Sequence, residues 1–185
     1  MSNVKALVVG NGGREHAIAW KLLQSDKVQQ VICVPGNGGT ASMPKCRNVA
    51  MNVMDFEGIA RFALVNGIEL VVIGPEAPLA AGITDYLQAQ ELTVFGPTKL
   101  GAQIEASKAW AKALMEEAQI PTAQSAVFTA AEPALSYVRS QGAPIVVKAD
   151  GLAAGKGVTV ATTVAEAEAA IQAIFDGKFG TAGQQ

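Results

Sequence analysis

The first segment with residue types suited to chemistry lies near the N-terminus, where apolar residues 4–9 lead into the sequence GNGGREH at residues 10–16. Apolar side chains at helical spacing follow, so this segment is predicted to turn from a strand into a helix. Such a turn directs backbone N–H groups and the positive helix end toward an anion. Arg14 adds a guanidinium that can bind phosphate through two hydrogen bonds. We therefore predict a phosphate site here; the alternative is a tight turn whose glycines serve packing only.

The same turn resembles the G-x-G-x-x-G fingerprint of dinucleotide-binding proteins, but two features argue against that function. Glu15 stands where the fingerprint has its third glycine. The acidic residue expected after the second strand is missing, because the sequence there is VPGN at residues 34–37. A phosphate on a smaller ligand is the better prediction, and a nicotinamide-dependent dehydrogenase is a poor alternative.

A second candidate segment is GPEAPL at residues 74–79, directly after the apolar residues 70–73. A carboxylate at the end of a strand, here Glu76, can hold an amine or the hydroxyl groups of a sugar. The alternative is that Glu76 stabilises the start of the next helix through the helix dipole. The spacing alone favours neither interpretation.

The third segment is KADGLAAGKG at residues 148–157, which resembles a P-loop without being one. Three residues rather than four separate Gly151 from Gly155, and a strand rather than a helix follows. A glycine-rich loop between two strands, with Lys148 before it and Lys156 inside it, is predicted to close over phosphate groups. The alternative, a loose surface hairpin, does not explain a lysine in an apolar strand.

Strands and helices alternate over the first half of the chain. Strands are predicted at residues 4–9, 31–34, 70–73 and 94–95, and helices at residues 15–23, 56–65 and 79–87. This alternation with short turns predicts a parallel, Rossmann-like α/β sheet with helices on both faces. Ligands are then expected at the carboxyl ends of the strands, where both N-terminal glycine turns lie.

The pattern changes after Pro97. Helices are predicted at residues 101–119, 131–140 and 164–175, and strands at residues 126–128, 145–148 and 158–161. Two strands joined directly by a loop are typical of an antiparallel α+β unit. We therefore predict an N-terminal substrate-binding α/β domain at residues 1–97, linker helices at residues 98–122 and a partial α+β subdomain at residues 123–185.

Composition limits the partners and the location. The 185 residues carry a formal charge of −2, half are hydrophobic, and no block of lysine and arginine stands out. These values predict a folded protein with no surface for nucleic acid or an anionic membrane. Cys33 and Cys46 lack the spacing of metal ligands, and a single histidine argues against a zinc site. The thiols are predicted to be reduced in a cytoplasmic protein, and no apolar run is long enough to span a bilayer.

Taken together, these segments resemble the phosphoribosylamine–glycine ligases (glycinamide ribonucleotide synthetases) of the ATP-grasp superfamily. The matching stretches, in the family's order, are GNGGREHAIAWKL at residues 10–22, PGNGGTA at 35–41, GPEAPLAAGI at 74–83, FGPT at 95–98, SKAWAK at 107–112 and APIVVKADGLAAGKGV at 143–158. They cover nearly the whole chain. The resemblance implies that the first domain is a pre-ATP-grasp domain and that residues 123–185 belong to the small ATP-grasp subdomain.

The resemblance also implies an activity. These ligases of purine biosynthesis join 5-phosphoribosylamine to glycine at the expense of ATP, through glycyl phosphate, with Mg²⁺ or Mn²⁺ as the metal. The implied substrate-binding residues are Gly10, Asn11, Gly12, Gly13, Arg14, Glu15, Gly74, Pro75 and Glu76. The implied ATP-binding residues are Lys108, Lys148, Asp150, Gly151, Leu152, Ala153, Ala154, Gly155, Lys156 and Gly157. No catalytic residue is assigned, and the metal ligands are expected outside this chain.

The residues after the last predicted helix, 176–185, carry three glycines and no hydrophobic cluster. We therefore expect the protein to continue into a further part of the same polypeptide, and the 185-residue chain alone to be inactive. Two alternatives stay open for the function. One is another ATP-grasp enzyme, such as a carboxylase, which the substrate turns argue against. The other is a phosphate- or nucleotide-binding module without catalytic activity.

Overall fold

The structure, a computed structural model, describes residues 3–152 and 157–178. The contacts between Cα atoms divide the chain into two compact units, Met1–Ala102 and Gln103–Gln185. Each unit has a hydrophobic core of its own. No helix within the described residues is long and apolar enough to cross a membrane.

The first unit is built on a parallel sheet, as the alternation of strands and helices predicts. Its strands are β1 (Val4–Gly10), β2 (Val28–Pro35), β3 (Cys46–Asn48), β4 (Leu70–Ile73) and β5 (Val94–Phe95). They lie in the order β3-β2-β1-β4-β5, and every pair is parallel. The short edge strand β3 was not predicted, because its sequence, CRN, contains no apolar run.

Helices cover both faces of this sheet, which confirms that part of the prediction. They are α1 (Gly13–Leu22), α2 (Gly38–Ala41), α3 (Phe56–Asn66), α4 (Glu76–Ala81) and α5 (Ile83–Gln88). A further helix, α6 (Lys99–Ala106), contains the division between the two units. In β1, Leu7 and Val9 pack in one core cluster, while Ala6 and Val8 pack in the other. Successive side chains of a strand point to opposite faces, so β1 is buried on both sides.

One predicted helix of the first unit is two helices. The prediction placed a single helix at residues 79–87, whereas α4 ends and α5 begins at Gly82. Gly82 has φ 99°, a left-handed conformation that glycine adopts at little cost and that stops a helix.

The second unit holds a two-stranded antiparallel sheet and helices. Its elements are α7 (Lys108–Glu117), α8 (Ala131–Gln141), β6 (Ile145–Lys148), β7 (Val158–Ala161) and α9 (Val164–Phe175). The helix predicted at residues 101–119 is interrupted at Ser107, which has extended backbone angles and accepts a hydrogen bond from the N–H of Trp110. The strand predicted at residues 126–128 is wrong, since those residues pair with no strand among the described residues.

Candidate functional site

Three glycine-containing turns meet at one edge of the parallel sheet. The first turn follows β1 at residues 10–15, the second follows β2 at residues 35–39, and the third follows β4 at residues 74–76. Gly10 of β1 is in register with Pro35 of β2, and Val9 is in register with Ile73 of β4. The ladder continues into the turns, because the N–H of Gly74 donates to Val9 O at 3.0 Å. The carboxyl ends of parallel strands form the usual ligand-binding edge of such a sheet. The predicted substrate residues of the two separate segments are therefore neighbours.

Glu15 fills the space between the first turn and the third. Its side chain is only 3% exposed, and its Oε2 accepts a 2.7 Å hydrogen bond from the N–H of Gly12. A Cβ atom on Gly10 would lie 2.5 Å from Glu15 Cγ, and one on Gly74 would overlap Glu15 Oε1. The glycines of both turns thus make room for this carboxylate, which closes the turn from position N3 of the helix.

Arg14 links the first turn to the third, because its guanidinium donates to the carboxylates of both Glu15 and Glu76. Its Nε donates to Glu15 Oε1 at 2.8 Å and its Nη1 donates to Glu76 Oε1 at 3.0 Å. The hydrogen bonds to Glu15 and then to Glu76 raise the pKa of Arg14. The bond from Arg14, followed by that from its own backbone N–H, lowers the pKa of Glu76. Glu76 is also the first residue of α4, where a negative charge favours the helix start. That Glu76 holds an amine or sugar hydroxyl groups stays a prediction.

The backbone N–H groups that an anion could meet at the first turn belong to the first residues of α1. The N–H of Gly12 is already bonded to Glu15, and the N–H of His16 bonds to Gly12 O. The first N–H groups of a helix lack acceptors within the helix. Among the described residues no acceptor contacts the N–H groups of Gly13 and Arg14. These two amides and the Arg14 guanidinium are the donors that a phosphate would meet.

The second turn of this edge contributes a residue that the sequence analysis did not assign. The Nδ2 of Asn37 donates to Asn11 O at 3.0 Å and to Gly12 O at 3.1 Å. Its Oδ1 accepts from the N–H of Thr40 at 3.0 Å and so caps α2. Asn37, which follows the neighbouring strand β2, therefore holds the backbone of the first turn in place. The signal was the PGNGGTA stretch, which follows β2 just as the assigned turns follow β1 and β4.

In the second unit, one face of the two-stranded sheet is apolar and exposed. Val146 of β6 pairs with Val160 of β7, and the two are 48% and 68% exposed. Lys148 pairs with Val158 farther along the same face. The opposite face packs on α8 and α9. The exposed face therefore offers an apolar surface with an ammonium group at one end, which explains why the sequence places a lysine in this strand.

The predicted ATP-binding residues that the structure describes include one close group. Asp150 accepts hydrogen bonds from the first residues of α7, and Lys108 Nζ donates to Gly151 O at 3.0 Å. The N–H of Ala149 donates to Gly157 O at 2.8 Å, which closes the base of the loop. Leu152 is 42% exposed beside them. The remaining predicted ATP-binding residues, Ala153, Ala154, Gly155 and Lys156, lie outside the described residues.

A metal site does not follow from these residues. Within residues 3–152 and 157–178, no group of three or more His, Cys, Asp or Glu side chains is placed to hold a metal ion. The described part of the chain therefore forms no three-ligand site for Mg²⁺ or Mn²⁺.

Comparison with known proteins covers nearly the whole chain. The model of "Phosphoribosylglycinamide synthetase, N domain" matches residues 4–105, and that of the "ATP-grasp (A) domain" of the same family matches residues 106–185. Phosphoribosylamine–glycine ligase of Nostoc sp. is 70% identical over 98% of this chain, which spans 43% of that protein's length.

Solved structures agree on the fold. The crystal structure of phosphoribosylamine–glycine ligase from Thermotoga maritima superposes with a TM-score of 0.71 at 31% identity, over 95% of this chain and 40% of that one. A biotin carboxylase domain of 2-oxoglutarate carboxylase from Hydrogenobacter thermophilus gives a TM-score of 0.73 at 19% identity, over 99% of this chain and 43% of that one. The second likeness concerns the fold alone. Because the N-domain model alone matches more than half of the residues, the chain belongs to the phosphoribosylglycinamide synthetase family.

Proposed function

We propose that the protein is an ATP-dependent carbon–nitrogen ligase that joins 5-phosphoribosylamine to glycine and forms glycinamide ribonucleotide, a step of purine biosynthesis. This chain would supply the substrate-binding domain and part of the ATP site. Family membership supports the reaction class, and the sheet edge of the first unit supports the substrate.

The observation that carries the proposal is the pair of opposite charges beside free amides at that edge. The N–H groups of Gly13 and Arg14 and the Arg14 guanidinium suit a phosphate. The Glu76 carboxylate, held 3.0 Å from Arg14, suits an amine or ribose hydroxyl groups. A ligand with a phosphate at one end and an amine at the other matches both groups. Phosphoribosylamine has this chemistry.

The exposed face of the second unit supports ATP as the other substrate. An adenine ring can pack on Val146 and Val160, which would otherwise expose apolar surface to water. Lys148 lies on the same face, where its ammonium can neutralise phosphate oxygens. The glycine-rich loop begins at Gly151, three residues after Lys148, so its first residues would lie at the phosphate end of such a ligand.

In the proposed reaction, a carboxylate oxygen of glycine attacks the γ-phosphorus of ATP and ADP leaves. The amine of phosphoribosylamine then attacks the acyl carbon of glycyl phosphate. Inorganic phosphate leaves with the carboxylate oxygen, and the amine loses a proton to solvent. Positioning and charge neutralisation are the main requirements of the phosphoryl transfer. Lysines and backbone amides supply both.

Four sequence-based expectations stay predictions within this proposal. They are the domain limits at residues 1–97, 98–122 and 123–185, the location of the Mg²⁺ or Mn²⁺ ligands outside this chain, the inactivity of the 185-residue chain alone, and a cytoplasmic location. The border between the two compact units, at Ala102 and Gln103, lies a few residues after the predicted domain limit at residue 97.

The test is ADP release by the full-length protein with each substrate omitted in turn. We expect turnover only when ATP, glycine and phosphoribosylamine are all present. Glu76→Gln should raise the KM for phosphoribosylamine, whereas Lys148→Ala should raise the KM for ATP. Turnover with bicarbonate in place of glycine would instead favour a carboxylase, and binding of ATP without turnover would favour a non-catalytic module.

A further inference from the structure

We infer that Asp150 is a positioning residue, which caps helix α7 and thereby holds Lys108 and the start of the glycine-rich loop in place for the nucleotide. This inference rests on the proposed ATP site and deepens it. It replaces the sequence-based expectation that Asp150 contacts ATP itself.

Both oxygens of the Asp150 carboxylate are already in use. Oδ1 accepts from the N–H of Lys108 at 2.5 Å and from the N–H of Ala109 at 3.3 Å. Oδ2 accepts from Ser107 Oγ at 2.9 Å. Both oxygens of the carboxylate therefore accept hydrogen bonds from the start of helix α7, whose first residue lies 42 positions earlier in the sequence.

The N-terminus of α7 is fully capped as a result. Ser107 Oγ accepts from the N–H of Trp110 at 3.1 Å, and Asp150 takes the two preceding N–H groups. The N–H of Ala111 makes the first bond within the helix, to Ser107 O. The three N–H groups before it, those of Lys108, Ala109 and Trp110, thus all have side-chain acceptors. This helix end is consequently not free to bind a phosphate, unlike the start of α1.

Lys108 is held from both ends by the loop. Its backbone N–H donates to Asp150, while its Nζ donates to Gly151 O at 3.0 Å. Gly151 has φ 100°, a conformation that favours glycine and that sets the direction of this carbonyl. Two reciprocal links therefore join the helix and the loop: a carboxylate from the loop to the helix, and an ammonium from the helix to the loop.

The charge arrangement also favours a positioning role. A free carboxylate next to the phosphate groups of ATP would repel them. At the N-terminus of α7 the negative charge of Asp150 is balanced by the helix dipole and three hydrogen-bond donors. Asp150 can therefore stand directly before a phosphate-binding loop without opposing its ligand.

The experiment compares three variants of the full-length protein. Asp150→Ala removes the cap. Asp150→Asn keeps an oxygen acceptor for the helix amides, removes the charge and places an N–H donor in place of the acceptor beside Ser107 Oγ. Asp55→Ala is the matched control, because Asp55 caps α3 in the other unit through a 2.9 Å bond from the N–H of Gly58.

We expect Asp150→Ala to raise the KM for ATP by about tenfold, equivalent to about 1.4 kcal/mol of binding, with a much smaller change in kcat. The KM for phosphoribosylamine should not change. Asp150→Asn should restore the KM for ATP to within about threefold of the wild-type value. Asp55→Ala should lower stability and leave the KM for ATP unchanged. An equal KM for ATP in the wild type and Asp150→Ala would overturn the inference. A large loss of kcat in Asp150→Asn would also overturn it, because it would show that Asp150 contacts the reacting groups directly.

Hydrogen exchange at the amides of Lys108 and Ala109 tests the cap without ATP. Exchange there should be faster in Asp150→Ala than in the wild type and unchanged in Asp55→Ala. Unchanged exchange in Asp150→Ala would refute the cap. If the wild-type protein binds no ATP, both the proposed function and the nucleotide part of this inference are wrong. The hydrogen-exchange result tests the cap independently of ATP binding.

Discussion

Adding one methyl group at Gly74 tests how the two turns of the sheet edge fit together. A Cβ atom there would overlap Glu15 Oε1. Gly74 does not have a positive φ, so an alanine would cause no backbone strain and the overlap is the main effect. Gly74→Ala must therefore displace the buried carboxylate and break its 2.7 Å bond with the N–H of Gly12. Overpacking costs about 1–3 kcal/mol, and a hydrogen bond to a charged group contributes about 1.5–3 kcal/mol. We expect the free energy of unfolding to fall by about 3–5 kcal/mol.

The assay is urea denaturation of the full-length protein, followed by far-ultraviolet circular dichroism. Gly38→Ala is the control, because a Cβ at Gly38 meets no atom within 4 Å. That variant should unfold at nearly the wild-type urea concentration. The double variant Glu15→Ala, Gly74→Ala isolates the overlap, since the second methyl group then enters vacant space.

Gly74 is buried, and in the Glu15→Ala background its new methyl group takes up space that the carboxylate has left. Gly74→Ala should then cost less than about 1.5 kcal/mol, the usual range for a volume-conserving change in a packed site. A loss of stability that is the same in both backgrounds would refute the reasoning. A wild-type unfolding free energy in the single Gly74→Ala variant would do so as well.

Three further predictions concern other contacts. Asn37→Ala should lower the free energy of unfolding by about 1–2 kcal/mol, measured by denaturation, because α2 loses its cap. It should also raise the KM for phosphoribosylamine in steady-state kinetics. An unchanged KM would show that Asn37 does not position the first turn for the substrate. Burial raises the pKa of Cys33 to about 12 and also raises that of Cys46, so both thiols should resist alkylation at pH 7 until urea unfolds the protein, because only thiolates react quickly. Arg14 lowers the pKa of Glu76, so the stability lost in Glu76→Gln, at most about 1 kcal/mol for an exposed pair, should be constant at neutral pH. It should shrink as the pH falls below about 4.3, the ordinary pKa of a glutamate, and vanish once the pH passes the lowered pKa of Glu76. Urea denaturation at several pH values measures it, and a loss that persisted in strong acid would contradict the ion pair.

The parallel sheet was predictable because its strands are apolar on both faces. β1, β2 and β4 contain apolar runs at residues 6–9, 31–34 and 70–73, each followed by glycine or proline. Such runs between helical segments indicate a parallel sheet. β3 has only three residues and no such run, so its pairing depends on the neighbouring strand rather than on its own sequence. The segment at residues 126–128 shows the opposite error: β-branched and aromatic residues favoured a strand where no partner strand lies among the described residues.

The turns were predictable as ligand-binding segments, whereas the partners of their side chains were not. Glu15 marks the missing third glycine of a dinucleotide fingerprint, but the sequence does not show that Gly10 and Gly74 make room for it. Asp150 belongs to a conspicuous glycine-rich segment, yet its hydrogen-bond partners lie more than 40 residues earlier. The spacing of residues predicts which of them share a helix or a strand. Contacts between segments that are distant in the sequence can be identified only from the three-dimensional structure.

Glycine labelled with ¹⁸O in its carboxylate tests the central claim most directly. The full-length protein would be incubated with this glycine, phosphoribosylamine and ATP, and the inorganic phosphate and the product would be examined by mass spectrometry. Our account predicts that glycinamide ribonucleotide forms together with ADP and that one ¹⁸O atom passes from glycine to each phosphate released, because the carboxylate oxygen leaves with the phosphoryl group. Unlabelled phosphate, or ADP formed without glycinamide ribonucleotide, would contradict it.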